Sequence, residues 1–124
     1  MTDAPMTVFM LVRATPAWLA LTPNDRFAFF AREIVPRIAA HPQVRMRFYD
    51  SEFYNARVSD VLAWEVADRH AYELVVEGLR ETAWWGGYFE VVEILPAVEN
   101  AALVNYGRDP TSMGVGAAAA APAD

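Results

Sequence analysis

The sequence contains no cysteine and no lysine, and only two of its 124 residues are histidine. Without cysteine there can be no disulfide, thiolate nucleophile, iron–sulfur cluster or cysteine-ligated zinc. Without lysine, a Schiff-base amine, a pyridoxal phosphate anchor and the lysine of a Walker phosphate loop are excluded as well. His41 and His70 cannot build a three-ligand zinc or iron site unless carboxylates complete it. We therefore expect no metal and no cofactor, and any chemistry must depend on side-chain acid–base groups.

Basic stripes and long apolar runs are also missing. The formal net charge is -6, and the ten basic residues, all arginine, are scattered along the chain, so we expect no nucleic-acid partner. The first apolar run follows no basic segment and is interrupted at Arg13, which argues against a signal peptide or a membrane-spanning helix. We expect no membrane association and a cytoplasmic location. Hydrophobic residues nevertheless make up 55% of the chain, and such a surplus favours a homodimer.

The hydrophobic patterns follow each other in the order β-α-β-β-α-β. Strands are predicted over residues 7–15, 44–50, 58–66 and 88–95. Thr22 and Asp68 are expected to cap the two helices. This order is typical of the ferredoxin-like fold of the α+β class, a four-stranded antiparallel sheet with both helices on one face.

The first helix should contact the sheet through one apolar stripe. Its members are Phe27, Phe30, Ala31, Ile34 and Ile38. Phe29 falls on the opposite, polar side, and Pro36 is expected to kink the helix or end its regular part. We expect the folded domain to cover residues 1–106 and residues 107–124 to form a disordered, alanine-rich tail.

The predicted strands are apolar on both sides, so the helix-free face of the sheet would be left uncovered. Two copies that place these faces together would bury them in a dimeric α+β barrel. The alternative is a monomer whose own tail covers the face.

Three segments resemble the darcynin family of small bacterial proteins. They are EFYNARVSDV at 52–61, VEGLRET at 76–82 and YFEVVEILP at 88–96. The similarity runs from about residue 7 to residue 106. The family has no assigned activity, so the resemblance assigns no catalytic residues.

A looser similarity connects AWEVADRHAYELVVEG, residues 63–78, with the antibiotic biosynthesis monooxygenase type of dimeric α+β barrel. That resemblance implies a pocket between sheet and helices or within the barrel. Members of the superfamily include cofactor-free monooxygenases, isomerases, polyketide cyclases and haem enzymes, so the resemblance indicates a location and no particular chemistry.

Alternation along the second strand places Arg45, Arg47 and Tyr49 on one side, opposite Met46 and Phe48. If the apolar pair packs beneath the helices, the arginines lie on the open face. Their expected neighbours there are Arg13, Phe9 and Leu11 of the first strand, with Glu65 and Glu90 or Glu93 as counter-charges. Such a cluster could orient a carboxylate or stabilise an enolate oxygen, because arginine presents a rigid bidentate fork. The alternative is an ion-pair network across a dimer interface.

A second polar group brackets the connection between the hairpin strands. It consists of Asp50, Glu52, Tyr54, Asn55, Arg57 and Asp60. A carboxylate beside an aromatic ring can have its pKa raised into the range useful for an acid or base. The alternative is that Asp50 and Asp60 form turn hydrogen bonds and that Arg57 pairs with a neighbouring carboxylate.

Aromatic side chains could line a substrate pocket, although most aromatic residues belong to the core. The candidates for substrate binding are Phe27, Phe30, Phe53, Tyr54, Trp64, Tyr72, Trp84 and Trp85, together with Arg13. Because Trp84 and Trp85 are adjacent, one of them should be available to a pocket or a partner. His70, in the first turn of the second helix, is a candidate base, with simple exposure as the alternative.

The first functional hypothesis is a cofactor-independent cyclase, isomerase or lyase of specialised metabolism, acting on a small hydrophobic, oxygenated molecule. Arg47 and Arg57, helped by Tyr49, would hold an anionic group. The proton would be moved by Asp50, Glu52 or Glu65. A cofactor-free monooxygenase and a non-catalytic ligand-binding or oligomeric module are the alternatives. A water-poor pocket that touches several ionisable residues favours an enzyme, whereas charges paired only with each other favour the module.

Overall fold

In the computed structural model, which describes residues 5–115, four strands form one antiparallel sheet in the order β2-β3-β1-β4. The strands are β1 (Met6–Ala14), β2 (Val44–Asp50), β3 (Asp60–Val66) and β4 (Phe89–Ala97). The hairpin of β2 and β3 is continued by β1, which pairs with both β3 and β4. The predicted four-stranded antiparallel sheet, with first and third strands adjacent, is confirmed.

Four helices pack against one side of this sheet: α1 (Pro16–Leu19), α2 (Pro23–Phe29), α3 (Val35–Ala39) and α4 (Arg69–Arg80). A fifth helix, α5 (Ala101–Asn105), follows β4 and has no buried residue. The Thr22 hydroxyl accepts a hydrogen bond from the Asp25 amide at 3.1 Å, and the Asp68 carboxylate accepts one from the His70 amide at 3.2 Å. Both predicted helix caps are therefore confirmed.

A single π-helical turn, Phe30–Ile34, joins α2 to α3. Pro36 follows directly and has no N–H to donate, so the regular hydrogen-bond ladder cannot run through this point. The Val35 amide instead bonds to the Phe30 carbonyl, five residues back. The irregularity predicted at Pro36 thus takes the form of a π turn.

The predicted orientation of two phenylalanines on the first helix is wrong. Phe27 is 70% exposed, whereas Phe29 is 7% exposed and belongs to the core. The reason is the short helix α1, which the pattern did not predict. It brings the ring of Trp18 to 6.1 Å from that of Phe29, which also meets the Tyr88 ring at 4.9 Å.

The core lies between the sheet and the helices. Its sheet side consists of Val8, Met10, Val12, Val44, Leu62, Trp64, Val66 and Phe89. The alternate residues of the strands point to the other side, where no helix packs among the described residues and where Phe9 remains 38% exposed. We call this second side the open face.

Beyond β4 the chain continues through α5 to a 3-10 turn at Pro110–Met113, capped by Asp109. No residue from 98 to 115 is buried. The 3-10 turn lies in the first part of the predicted tail, residues 107–115. The rest of that tail, residues 116–124, lies outside the described residues. In the described part of the chain, we find no helix with the length and apolar character needed to cross a membrane.

Candidate functional site

The sheet has a concave region on each side. On the helix side, a cavity of about 580 Å³ lies between the sheet and the segment from α1 to α3. Its lining includes Trp18, Leu19, Arg26, Phe27, Phe30, Val35, Phe48, Asp50, Glu52, Ser59, Asp60 and Phe89. We call it the helix-side cavity. Its walls are mainly apolar, and its polar groups are concentrated where β2 ends and β3 begins.

Three carboxylates meet at that polar end. Asp50 and Asp60 are direct partners in the β2–β3 register, and Glu52 follows β2 by two residues. One oxygen from each of the three carboxylates lies within 4.8 Å of the others. Asp60 is only 6% exposed, so one member of the cluster is almost withdrawn from water.

Burial of this kind makes ionisation costly, and it raises the pKa of Asp60 to about 7. The hydrogen bond from Ser59 acts in the opposite direction, while the neighbouring carboxyls of Asp50 and Glu52 raise the pKa further. Asp60 therefore changes its protonation near neutral pH, the range in which a general acid or base is most effective.

Ser59 holds the carboxyl of Asp60 in place. Its hydroxyl donates to Oδ2 of Asp60 at 2.7 Å and accepts a hydrogen bond from the Ala14 amide at 2.8 Å. The Ser59 amide also donates to the Val12 carbonyl at 2.9 Å. These contacts connect the acidic cluster to the end of β1.

Arg26 is the one cationic side chain among the described residues that line the helix-side cavity. Its guanidinium donates to the backbone carbonyls of Trp18 at 3.2 Å and Leu19 at 3.0 Å. No ion pair joins it to a carboxylate in residues 5–115. The acidic cluster is consequently not neutralised by a salt bridge in this part of the protein.

The predicted arginine cluster lies on the open face, but its members form two separate ion pairs, because Arg13 lies four residues along β1 from Phe9, the residue that is level with Arg47. Arg47 Nε is 2.8 Å from Glu65 Oε2, and Arg13 Nη2 is 2.8 Å from Glu90 Oε2. The hydrogen bond with Tyr49 and the charge of Glu65 raise the pKa of Arg47. A second concavity, of about 790 Å³, includes Arg45, Arg47, Tyr49 and Glu65 in its lining; we call it the open-face concavity.

Several predicted site residues lie away from both concavities. The structure does not bring Arg57 together with Arg47: Arg57 lies near Arg13, whose Nη1 donates to the Arg57 carbonyl at 3.3 Å. Phe53 and Tyr54 are 76% and 91% exposed, because the hairpin connection extends beyond the sheet.

The prediction that His70 lies in a site also lacks support, since it is largely exposed and its nearest carboxylate is Glu73 at 3.9 Å. Among the aromatic candidates, Phe27 and Phe30 line the helix-side cavity. Trp64 and Trp84 are fully buried core residues and line neither concavity. Their depth follows from their positions on β3 and just after α4.

Tyr72 is half-buried against the Trp64 ring, and burial raises the pKa of its hydroxyl. Trp85, the more exposed member of its pair, is covered by the guanidinium of Arg80 at 5.6 Å. None of these three aromatic residues forms a pocket wall in either concavity.

Asp60 belongs to the polar group that the sequence analysis placed around the hairpin connection, but it was not among the residues expected to move the proton. The available signal was the hairpin register: if Asp50 ends one strand and Asp60 begins the next, the two carboxyls face each other on the same side. With Phe48 two residues before Asp50, that side is the helix side.

The donor atoms allow a test of possible cofactors. A haem in the helix-side cavity would need an axial ligand, yet the described lining contains no histidine, cysteine, methionine or tyrosine. Its acidic end would also repel haem propionates, so the residues present do not fit haem. Three carboxylate oxygens are instead the ligand type preferred by hard cations such as Mg²⁺ or Ca²⁺.

Comparison with solved structures supports the ferredoxin-like fold. A variant of chlorite dismutase from Candidatus Nitrospira defluvii matches with a TM-score of 0.67 at 14% identity, covering 91% of this chain and 47% of that one. A dimeric chlorite dismutase from Nitrobacter winogradskyi matches with a TM-score of 0.63 at 23% identity, covering 78% of this chain and 59% of that one. The chain therefore spans roughly half the length of these structures. These solved structures are chlorite dismutases, so they support the ferredoxin-like fold but not the looser similarity to the monooxygenase type in particular.

Closer relatives are found by sequence. A darcynin homolog from Streptomyces avermitilis is 50% identical over 112 residues, which is 90% of this chain and 93% of the relative. A darcynin homolog from Granulibacter bethesdensis is 51% identical over 107 residues, 86% of each chain. The sequence model described as "Darcynin, domain of unknown function" matches residues 1–115. The chain therefore belongs to the darcynin family.

Proposed function

We propose that this protein is an acid–base enzyme that binds a small, mainly apolar, oxygenated molecule in the helix-side cavity, with Asp60 transferring the proton. One observation carries the proposal: a nearly buried carboxyl, held by Ser59, faces an apolar cavity beside two further carboxyls. Such a cavity, with few polar groups at one end, is typical of a small-molecule site.

The chemistry that suits this arrangement is proton transfer next to a carbonyl group. The ionised Asp60 takes a proton from the carbon beside the carbonyl, and the C–H electron pair forms the new C=C bond. The carbonyl π electrons move to oxygen and give an enolate, while Asp60 carries the proton. Return of the proton from Asp60 to another carbon completes an isomerisation or starts a cyclisation. No cofactor takes part in these steps.

The position of the acidic cluster changes the roles first assigned from the sequence. Asp50 and Glu52 remain in the site, whereas Arg47 and Glu65 lie on the opposite side of the sheet. The open-face ion pairs agree with the alternative interpretation of that cluster as a structural network. The cavity and its ionisable groups support an enzyme over a purely structural module.

A direct test uses 2-tetralone, a bicyclic ketone with exchangeable hydrogens beside its carbonyl. Deuterium incorporation from D₂O, followed by NMR, should be faster with the protein than with buffer, and its rate should rise as the pH passes through about 7. Asp60→Asn should lower the rate by about 100-fold or more. Glu77→Gln, on the exposed side of α4, is the matched control. Equal exchange by the wild type and Asp60→Asn would contradict the assignment, and oxygen consumption would favour the monooxygenase alternative.

We also propose that the protein is a cytoplasmic homodimer assembled through its open face. Phe9, Tyr49 and Leu95 on this face are 38%, 51% and 43% exposed in the single chain. Burying such side chains is favourable by roughly 25 cal/mol for each Å² of apolar surface removed from water. The dimeric chlorite dismutase with a similar fold is consistent with a homodimer.

A further inference from the structure

The open face carries charges that one chain does not fully pair. Arg13 and Arg47 have carboxylate partners. Arg45 on β2, Glu93 on β4 and Glu99 just after β4 belong to none of the ion pairs found among residues 5–115. The unpaired cation and the unpaired anions therefore lie at opposite edges of the sheet.

These edges cannot neutralise each other within a chain. Three strand spacings separate β2 from β4, about 14 Å at the usual distance between strands. Between the edges lies an apolar centre formed by Phe9 and Leu11 of β1 with Val61 and Ala63 of β3. We call the β2 side, with Arg45 and Arg47, the basic edge, and the β4 side, with Glu93 and Glu99, the acidic edge.

We propose that a second copy binds the open face about a two-fold axis parallel to the strands, so that the basic edge of each copy faces the acidic edge of the other. This inference rests on the homodimer proposed above and specifies its geometry. An isologous interface uses the same surface twice, so the surface must complement itself. The charges of the open face complement themselves only when the two-fold rotation places the basic edge of one copy over the acidic edge of the other.

The direction of the axis follows from the strand order. Rotation about a line along the strands places β4 of the partner over β2, with β1 of the partner over β3. Rotation about a line across the strands places β2 of one copy over β2 of the other, so that Arg45 and Arg47 of the two copies face each other. Like charges facing each other across an interface cost several kcal/mol, so the charge pattern favours the first arrangement.

The register then identifies the facing residues. An axis along the strands keeps each residue at the same level of the sheet. Arg45 is level with Glu65, Thr7 and Ala97, and it therefore faces the end of the partner's β4, two residues before Glu99 of the partner subunit. Tyr49 is level with Leu11 and Glu93, and it faces Glu93 of the partner subunit.

The same symmetry closes the open-face concavity. Because levels are preserved, the 790 Å³ concavity of one copy lies against that of the other. The combined chamber contains Arg45, Arg47 and Tyr49 from both copies. The ionisable open-face cluster is then an interior feature of the dimer.

Charge reversal tests this geometry, with the dimer dissociation constant measured by analytical ultracentrifugation. Arg45→Glu and Glu99→Arg should each raise it at least tenfold, whereas the double variant should return to within about threefold of the wild type because the ion pair is restored in reverse. Glu77→Arg, a charge reversal on α4, should leave it unchanged. A monomeric wild type overturns both the homodimer and its geometry. A dimer whose double variant shows the summed loss of the two single variants overturns the geometry alone.

Cross-linking supplies a second measurement that does not depend on these charges. The chain has no native cysteine, so introduced thiols react alone. A mixture of Tyr49→Cys and Glu93→Cys chains should give covalent dimers with a short bismaleimide, because these positions face each other only when β2 lies over β4. The opposite result would be no cross-link between Tyr49→Cys and Glu93→Cys in a mixture shown to contain dimers, together with a cross-link between two Arg47→Cys chains. That result would establish a two-fold axis across the strands and overturn the proposed geometry.

Discussion

The charged groups on the two sides of the sheet differ in their exposure and in their pairing. On the open face, guanidinium and carboxylate groups are partly exposed and form 2.8 Å ion pairs. At the polar end of the helix-side cavity, the buried carboxyl of Asp60 lies beside the exposed carboxyls of Asp50 and Glu52, and no salt bridge neutralises the three within residues 5–115. Exposed pairs cost little to maintain and contribute little, whereas a buried unpaired carboxyl is expensive and is consistent with a functional role. Asp60 is therefore a stronger candidate for a functional residue than the paired charges of the open face.

The largest expected difference between the two faces concerns activity. Asp60→Asn should reduce deuterium exchange by about 100-fold or more, because the base is removed. The double substitution of Arg47→Ala and Arg57→Ala should keep the rate within about threefold of the wild type, since neither residue lines the helix-side cavity. Rates are compared at equal dimer content, measured by sedimentation. If the arginine double variant lost most of its exchange rate and Asp60→Asn kept the rate of the wild type, the chemistry would lie on the open face and not in the helix-side cavity.

The next effect is the dependence of stability on pH. The pKa of Asp60 is about 7 in the folded protein and near 3.8 when unfolded, so between these values the folded state binds the additional proton. The free energy of unfolding should therefore fall as the pH rises from 4 to 8, by at most ~4 kcal/mol from this group at 1.36 kcal/mol for each pKa unit. Urea unfolding at several pH values measures it. Asp60→Asn should flatten this slope and be more stable than the wild type at pH 8.

A smaller effect is expected at Ser59. Ser59→Ala removes the donor to Asp60 and the acceptor of the Ala14 amide. Leaving these groups unpaired should cost about 1–3 kcal/mol, and the pKa of Asp60 should rise further because the bond that favours its ionised form is lost. Carboxyl ¹³C NMR titration follows the pKa directly. An unchanged or lower pKa would show that Ser59 does not control the ionisation of Asp60.

The sheet could be predicted from sequence because alternation, turn residues and helix caps are local signals. Thr22 and Asp68 cap helices where expected, and Arg47 lies beside Glu65 as expected from strand alternation. The helix-side cavity could not be predicted in the same way. Its shape depends on α1, which places Trp18 against Phe29, and on the π turn after Phe29, which changes the direction of the following side chains. Both features come from tertiary packing around prolines, and no periodic pattern shows them.

The smallest effect belongs to the exposed pair of Arg13 and Glu90. Their side chains are 44% and 55% exposed in the single chain, so a double-mutant cycle with Arg13→Gln and Glu90→Gln should give a coupling energy of about 0.2–1 kcal/mol in the monomer. If two open faces close on each other, this pair loses water and its coupling should increase with protein concentration as dimers form. Measuring the cycle by urea unfolding below and above the dimer dissociation constant therefore separates a surface ion pair from an interface ion pair. A coupling energy that stays constant across that range would mean that the Arg13–Glu90 pair remains solvated in the dimer.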